Sequence, residues 1–126
     1  LFLKNKKNEF FLLSCEEGDK FDLKKISKLL KLGNVSFAKQ EHLEQYLKIK
    51  PGSVSPFALL NDDIGFVNFY LEQTLYESKF VNFHPLINTL TITIKTDEFI
   101  EFMIENNKKI HIFSSLEGKI LKTYEK

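Results

Sequence analysis

Two short segments contain residues that suit a binding or catalytic site, and the first is Pro-Gly-Ser-Val-Ser-Pro at residues 51–56. The chain has only 5 Gly and 3 Pro, yet this segment holds one Gly and two Pro. Gly52 permits a backbone conformation or a close approach that a Cβ would block, and Pro51 and Pro56 stiffen both ends. Such a loop can hold several backbone N–H groups outward, where they suit a carbonyl or a developing oxyanion. A rigid entry into a strand explains the same residues equally well.

The second segment is Asn-Phe-His-Pro-Leu-Ile-Asn-Thr, residues 82–89. His84 precedes a proline, and Asn88 opens a predicted strand. Taken alone, a histidine in this position is more often a structural turn residue than a site residue. The segment becomes a site candidate because the rest of the chain offers so little other chemistry.

The motifs of several common enzyme classes are missing from the sequence. It contains no GxSxG elbow, Walker loop or GxGxxG. The three histidines, His42, His84 and His111, fall on different predicted elements, and one cysteine cannot build a zinc site. That cysteine, Cys15, is expected to be structural; it excludes an internal disulfide and is typical of a reducing compartment. We therefore expect no cofactor, no metal and a cytoplasmic location.

The charge is unevenly distributed, although the net charge is only +1. Residues 1–50 carry four more lysines than acidic residues, whereas residues 51–126 carry three fewer. A basic first half can contact phosphates, but each lysine taken singly is more often just solvated. All 18 basic residues are Lys, so any phosphate contact would be a point charge rather than a bidentate fork.

Apolar periodicity and end signals predict helices and strands that alternate along one α/β domain over residues 1–126. Helices are predicted within residues 18–33, from an N-cap at Asp22 to a left-handed stop at Gly33, at residues 39–49, and from a cap at Thr96. Strands are predicted at residues 8–14, 35–37, 56–60, 65–71, 79–83, 88–95 and 109–113. The third and fourth strands are expected to form an antiparallel hairpin through residues 61–65. Together these elements predict a mixed sheet.

Three blocks of the sequence resemble the YbaK-like aminoacyl-tRNA editing domains. They are LFLKNKKNEFFLLSCEEGDKFDLKKISKLL at residues 1–30, PGSVSPFALLND at residues 51–62 and FHPLINTLTI at residues 83–92. The second block matches the GxxxP loop of that family and the third its FHPL-x-N segment, in the same order and spacing. The resemblance is closest to the prolyl-tRNA deacylase branch, which removes alanine from proline tRNA.

The resemblance implies a mixed, partly barrel-like sheet surrounded by helices, and a hydrolase without protein nucleophile or metal. Backbone groups of the loop would hold the aminoacyl group while a water attacks, helped by the ribose hydroxyl of the substrate. It implies the following site residues: for catalysis Gly52, Ser53, Val54, Ser55 and Pro56; for substrate binding His84 and Asn88, with Phe57 and Leu59 as pocket walls. Apolar residues such as the last two are more often plain core.

Some expectations concern the boundaries and partners of the chain. Leu1 begins inside an apolar pattern without Met, and the functional lysine of the family would precede it, so we expect an N-terminal segment to be missing. Lys4, Lys6 and Lys7 lie nearby and are weak candidates for phosphate contacts, although they match no catalytic position. The expected partner is aminoacylated proline tRNA, with prolyl-tRNA synthetase, fused or separate, as a second. No membrane partner is expected.

Three alternatives remain open at the level of the sequence. The first is the related branch that removes cysteine from the same tRNA, since pocket volume cannot be read from the chain. The second is a tRNA-binding appendage of a prolyl-tRNA synthetase that has lost catalysis, although such an appendage has no reason to keep Gly52 and Pro56. The third is an α/β domain that binds a small amino-acid ester.

Overall fold

The helices and strands follow from a computed structural model, which describes residues 1–15, 22–49, 55–63, 65–83 and 91–126. The strands are β1 Phe2–Asn5, β2 Phe10–Ser14, β3 Val35–Phe37, β4 Val67–Glu72, β5 Phe80–Phe83, β6 Ile92–Lys95, β7 Ile110–Ser114 and β8 Lys119–Tyr124. The α-helices are α1 Leu23–Leu29, α2 Gln40–His42, α3 Gln73–Glu77 and α4 Thr96–Glu105. A π-helix, Leu43–Leu47, continues α2, and a 3₁₀-helix covers Pro56–Asn61.

Six strands form one mixed sheet in the order β3-β1-β2-β4-β7-β8. The central strands β2, β4 and β7 run parallel, and the outer strands pair antiparallel. Strands β5 and β6 form a separate antiparallel pair. The predicted mixed α/β class is thus confirmed. The expectation of a partly barrel-like sheet is not met, because within the described residues the sheet is open and ends at β3 and β8.

Both faces of the central strands are buried, which explains the unbroken apolar run of β2. Side chains alternate across a strand, so Phe10 and Leu12 join the larger core under α4, the π-helix and the 3₁₀-helix. Phe11 and Leu13 point to the other face and pack with residues of α1. Parallel strands covered on both faces have continuous hydrophobic sequences, as this one does.

The predicted strand at residues 56–60 is wrong, and with it the hairpin. Pro56 lacks an N–H and has a fixed φ, so it suits the first position of a helix, and the chain forms a 3₁₀-helix instead. Ala58 and Leu59 still enter the core, which satisfies the apolar pattern that indicated a strand. Asp62 ends the turn by accepting a hydrogen bond from the Val67 N–H at 2.7 Å. Strand β4 then pairs with β2 and β7 rather than with residues 56–60.

The predicted ends of two helices need correction. Asp22 is the N-cap of α1 as predicted, and its carboxylate accepts from the Lys24 N–H at 2.9 Å. The helix ends before Gly33, because Lys31 already has a left-handed φ of 56°. Thr96 is the first residue of α4 rather than its cap, and its hydroxyl donates to the Ser78 carbonyl at 2.6 Å.

Other predictions of secondary structure hold with small shifts, and three elements were missed. Strand β3 has the predicted bounds, while β2, β5 and β7 lie within a residue or two of theirs. Residues 39–49 contain α2 and the π-helix instead of one α-helix. Neither β1 nor β8 was predicted, nor was the five-residue α3. In the described ranges, no helix is both long and apolar enough to cross a membrane.

Candidate functional site

A cavity of about 890 Å³ opens where β2 ends. Leu13, Ser14 and Cys15 line it from the end of β2, and Leu75 lines it from α3, which directly follows β4. It therefore lies at the carboxyl ends of the parallel strands, where open α/β sheets bind their ligands. The remaining wall consists of Leu1, Ser55, Pro56, Ser78, Phe80, Val81, Asn82, Phe83 and Thr91.

The cavity brings together the described ends of the two segments singled out in the sequence. Ser55 and Pro56 are the last residues of the GxxxP loop, and both line the cavity. Asn82 and Phe83 begin the second segment, Thr91 lies two residues beyond its end, and all three line the same cavity. The remaining candidates lie outside the described residues, so their roles stay predictions: Gly52, Ser53, Val54, His84 and Asn88.

Ser55 is the most unusual polar residue in the cavity wall. The residue is only 3% exposed, and its Oγ atom has no hydrogen-bond partner within the described part of the chain. A buried polar group left in this state costs about 1–3 kcal/mol, which native proteins tolerate mainly for a functional reason. The backbone carbonyl of Ser55 accepts from the Ala58 N–H at 3.0 Å and so is held by the 3₁₀-helix. The hydroxyl thus stands at a fixed place beside the cavity.

The two predicted pocket walls lie behind the cavity rather than on its surface. Phe57 packs edge-to-face on Phe83 and Phe99, with ring centroids 6.0 and 5.8 Å apart. Leu59 is 1% exposed and belongs to the main core. Phe57 therefore packs behind Phe83, which itself lines the cavity. Leu59 lies in the core, as its apolar side chain favours. A direct role of either residue in binding stays a prediction.

The three candidate phosphate-binding lysines lie at the other edge of the sheet. Leu1 pairs with Leu13 beside the cavity, through backbone hydrogen bonds of 2.8 and 2.9 Å, whereas Lys4 pairs with Phe10. A five-residue strand spans roughly 16 Å. Lys4 and the turn that carries Lys6 and Lys7 are therefore not brought to the cavity. Their contact with phosphate stays a prediction.

Glu72 supports the cavity wall and was missed in the sequence. It is 3% exposed, and its carboxylate accepts hydrogen bonds from the N–H and hydroxyl groups of both Thr74 and Ser115. Burial raises the pKa of the carboxyl, but these bonds together outweigh burial, so the pKa is lowered. The carboxylate caps α3, which supplies Leu75 to the cavity. The Glu-x-Thr spacing is the signal that could have identified this cap.

The remaining histidines have structural positions. The ring of His111 stacks on Tyr70 at 4.8 Å, and its Nδ1 atom is 2.9 Å from the Thr123 hydroxyl. Burial, and after it the neighbouring Lys109, lower the pKa of His111. His42 is half-buried, with its ring centroid 5.1 Å from that of Phe10, and its Nδ1 atom accepts from the Lys39 N–H at 3.1 Å. Neither ring lines the cavity described above.

Comparison with known proteins confirms the family resemblance seen in the sequence. A family model described as "Aminoacyl-tRNA editing domain" matches residues 1–102. The "Prolyl-tRNA editing protein ProX" of Acetoanaerobium sticklandii is 31% identical over 108 residues, which cover 85% of this chain and 65% of that protein. The "Prolyl-tRNA synthetase associated domain-containing protein 1" of Xenopus laevis is 34% identical and covers 82% of this chain and 64% of its own.

The chain spans slightly less than two thirds of the length of these relatives. Among solved structures, that of the hypothetical protein APE2540 superposes with a TM-score of 0.66 at 14% identity. The match covers 80% of this chain and 64% of the other. At this identity, the agreement bears on the fold alone.

Proposed function

Because the chain belongs to the aminoacyl-tRNA editing domain family, we propose that it is a deacylase that hydrolyses the ester of alanine mischarged onto proline tRNA. The observation that carries the proposal is the shared cavity. Its wall holds the end of the GxxxP loop, Ser55 and Pro56, together with Phe83 and Thr91 of the family block FHPLINTLTI. The names of two relatives, a prolyl-tRNA editing protein and a prolyl-tRNA synthetase associated protein, support proline tRNA as the partner.

The choice of alanine follows from a physical limit on selection by size. Alanine is smaller than proline, so a synthetase pocket built for proline cannot exclude it sterically. The absence of one methylene from an apolar interface gives only about 10–200-fold discrimination. A second site that admits alanine and rejects proline supplies the missing selectivity. We assign that second site to the cavity beside Ser55.

The proposed reaction uses water as the nucleophile. Water adds to the ester carbonyl, the bond between the carbonyl carbon and the ribose oxygen breaks, and the ribose oxygen takes up a proton. The products are free alanine and a tRNA with a free terminal hydroxyl. Backbone N–H groups of the loop at residues 52–56 would stabilise the oxyanion that develops on the carbonyl oxygen. The Ser55 hydroxyl would give the aminoacyl group or the attacking water a hydrogen-bond partner.

The test measures the release of labelled amino acid from proline tRNA charged with alanine, cysteine or proline. We expect fast loss of alanine and retention of proline. Preferential loss of cysteine would replace the proposed substrate with that of the sister branch. Tight tRNA binding without release of any amino acid would contradict the deacylase proposal and favour a tRNA-binding appendage.

A variant of the loop separates catalysis from docking. Gly52→Ala adds a Cβ where a close approach to the carbonyl is needed. We expect this variant to remain folded, to bind tRNA and to lose turnover. Ser36→Ala, on the exposed edge strand β3, is the matched control and should retain full turnover. Equal activity of the two variants would contradict the role of the loop.

A further inference from the structure

The hairpin of β5 and β6 places an exposed aromatic ring at the rim of the cavity. Phe80 is 47% exposed and lines the same cavity as Ser55. The ring was not singled out in the sequence, although burial alternates along β5 and places Phe80 on its exposed face. A large aromatic side chain this exposed at the rim of a cavity offers a flat apolar surface to a ligand.

Two lysines flank this ring. The Lys79 Nζ atom lies 5.7 Å from the centroid of the Phe80 ring. Lys95 is the direct cross-strand partner of Phe80 in the antiparallel pair, and such partners have Cβ atoms about 4.5–5.5 Å apart. Ion pairs among the described residues join Lys109 to Glu125 and Lys119 to Glu117, so in that part of the chain no carboxylate pairs with Lys79 or Lys95.

The backbone holds these residues in place. The Thr96 N–H donates to the Lys79 carbonyl at 3.0 Å, and the Thr96 hydroxyl donates to the Ser78 carbonyl at 2.6 Å. These two bonds tie the start of β5 to the end of β6. The ring and both lysines therefore project from a corner that is fixed before any ligand binds, which lowers the cost of binding.

An aromatic ring between cations is how proteins bind single-stranded nucleic acid without reading its sequence. A base stacks on the ring, and the charges contact the phosphates on either side. The other explanation is that the lysine stems simply cover the ring. The exposure of Phe80 argues against it, because 47% of the residue remains accessible with both lysines present.

We propose that Phe80, Lys79 and Lys95 bind the single-stranded 3′ end of the tRNA, just upstream of the aminoacylated nucleotide. This inference rests on the proposed function, which places the ester in the adjoining cavity. A base stacked on Phe80 delivers the next nucleotide into the cavity that Ser55 lines. We call the three residues the stacking platform.

The neighbouring charges set the direction from which the RNA arrives. Lys79 and Lys95 also line a second groove of about 720 Å³, which shares Ser78 with the cavity. Its wall also includes three carboxylates of α4, which repel phosphate: Asp97, Glu101 and Glu105. The RNA strand therefore approaches across Phe80 rather than along α4.

The test measures binding of proline tRNA to the full chain over a range of salt concentrations. Phe80→Ala should weaken binding about tenfold through loss of stacking, whereas Phe80→Tyr keeps the ring and should bind like the wild type. The double change Lys79→Gln and Lys95→Gln should reduce the slope of log K against log salt concentration by about 1.4. This is roughly 0.7 for each phosphate that a lysine no longer neutralises. Lys24→Gln with Lys25→Gln, on the exposed face of α1, removes the same charge and should leave the slope unchanged.

Two further arms separate this inference from the proposed function. A tRNA trimmed of its four 3′ nucleotides should bind wild type and Phe80→Ala equally. Phe80→Ala should raise the KM for charged tRNA more than the KM for the alanyl ester of adenosine, which lacks upstream nucleotides. If the wild type binds tRNA but hydrolyses neither substrate, the proposed function is refuted. The binding measurements on the Phe80 and lysine variants still test the stacking platform in that case.

Three results would overturn the stacking platform. The first is wild-type affinity of Phe80→Ala for intact tRNA. The second is an equal change of salt slope in the two lysine pairs. The third is a loss of adenosine ester hydrolysis in Phe80→Ala at unchanged thermal stability, which would place the ring in the reaction site itself.

Discussion

Two buried polar residues, one at each edge of the parallel strands, show how the molecule separates stability from function. Asn5, at the amino edge, is 6% exposed, and Ser55, at the carboxyl edge, is 3% exposed. The amide of Asn5 donates to the Glu9 carboxylate and the Leu32 carbonyl, and it accepts from two backbone N–H groups, all at 2.9–3.0 Å. The Ser55 hydroxyl has no partner among the described residues.

The difference extends to the surroundings of each residue. At the amino edge, Tyr46 packs 4.6 Å from Phe10 and 4.9 Å from Phe66, between ring centroids, and the pocket beside Asn5 is only about 290 Å³. At the carboxyl edge, the ends of the strands leave a cavity of about 890 Å³. The carboxyl edge therefore combines the larger cavity with a buried hydroxyl that can bind a ligand.

The largest effect on stability is expected from Asn5→Ala. The change leaves the buried Leu32 carbonyl without its partner, which costs about 1–3 kcal/mol, and it removes two part-buried bonds from the N–H groups of Lys7 and Glu9. We expect the free energy of unfolding to fall by about 3 kcal/mol, measured by urea denaturation. Turnover per folded molecule should not change. A decrease below about 1 kcal/mol would contradict the structural role of Asn5.

Ser55→Ala should have the opposite profile. The Ser55 hydroxyl is buried and has no hydrogen-bond partner among the described residues, so its removal should leave the free energy of unfolding equal or raise it. Turnover of alanyl proline tRNA should fall about tenfold, the equivalent of one hydrogen bond worth about 1.4 kcal/mol. Release of labelled alanine and urea denaturation measure the two effects. A Ser55→Ala variant that is less stable but retains full turnover would show that Ser55, like Asn5, serves stability and not function.

Glu72→Gln tests the pH dependence of the carboxyl edge. The folded pKa of Glu72 lies below its unfolded pKa. Between these two pKa values the unfolded state binds more protons, so the free energy of unfolding rises with pH. The contribution is complete above the unfolded pKa, near 4.5, and is lost as the pH falls through the folded pKa. We expect the variant to be less stable than wild type by about 1 kcal/mol at pH 7. Urea denaturation between pH 3 and pH 7 should show this difference shrinking as the pH falls, and a constant difference would contradict the assignment.

The smallest effect is expected from replacing Lys4, Lys6 and Lys7 by Gln together. Lys4 lies three residues along the strand from Leu1 of the cavity wall, roughly 10 Å away, and Lys6 and Lys7 lie in the turn beyond it. We expect tRNA affinity to fall less than about threefold at physiological salt, where the Debye length is about 8 Å. Hydrolysis of the alanyl ester of adenosine should not change. A larger decrease in affinity than in Lys79→Gln with Lys95→Gln would move the main RNA contact to the amino edge.

The sequence predicted local features well where a single residue determines the outcome. Asp22 was identified as a cap because its short carboxylate can reach an N–H two residues later, as it does. The strand at residues 35–37 was found from its apolar spacing and turn signals. The strand at residues 56–60 failed because burial of Ala58 and Leu59 satisfies a 3₁₀-helix as well as a strand. Strands β1 and β8 were missed, since pairing partners decide whether such short or exposed segments form strands.

The sequence predicted which segments form the candidate site, but it did not predict how the fold arranges them. The family resemblance identified the loop and the second segment by residue type and order, which are local properties of the chain. It did not indicate Glu72, whose carboxylate binds Ser115, 43 residues away. Nor did it indicate Phe80, whose exposure depends on what β5 packs against.

Residue identity and short-range spacing were sufficient to identify the family, the mixed α/β class and the GxxxP loop. The shared cavity of Ser55, Pro56, Phe83 and Thr91 could be found only from the fold, because it depends on contacts between segments far apart in the chain. The parallel pairing of β2 and β4 places the ends of these strands, 58 residues apart, at the same end of the sheet, where the cavity opens.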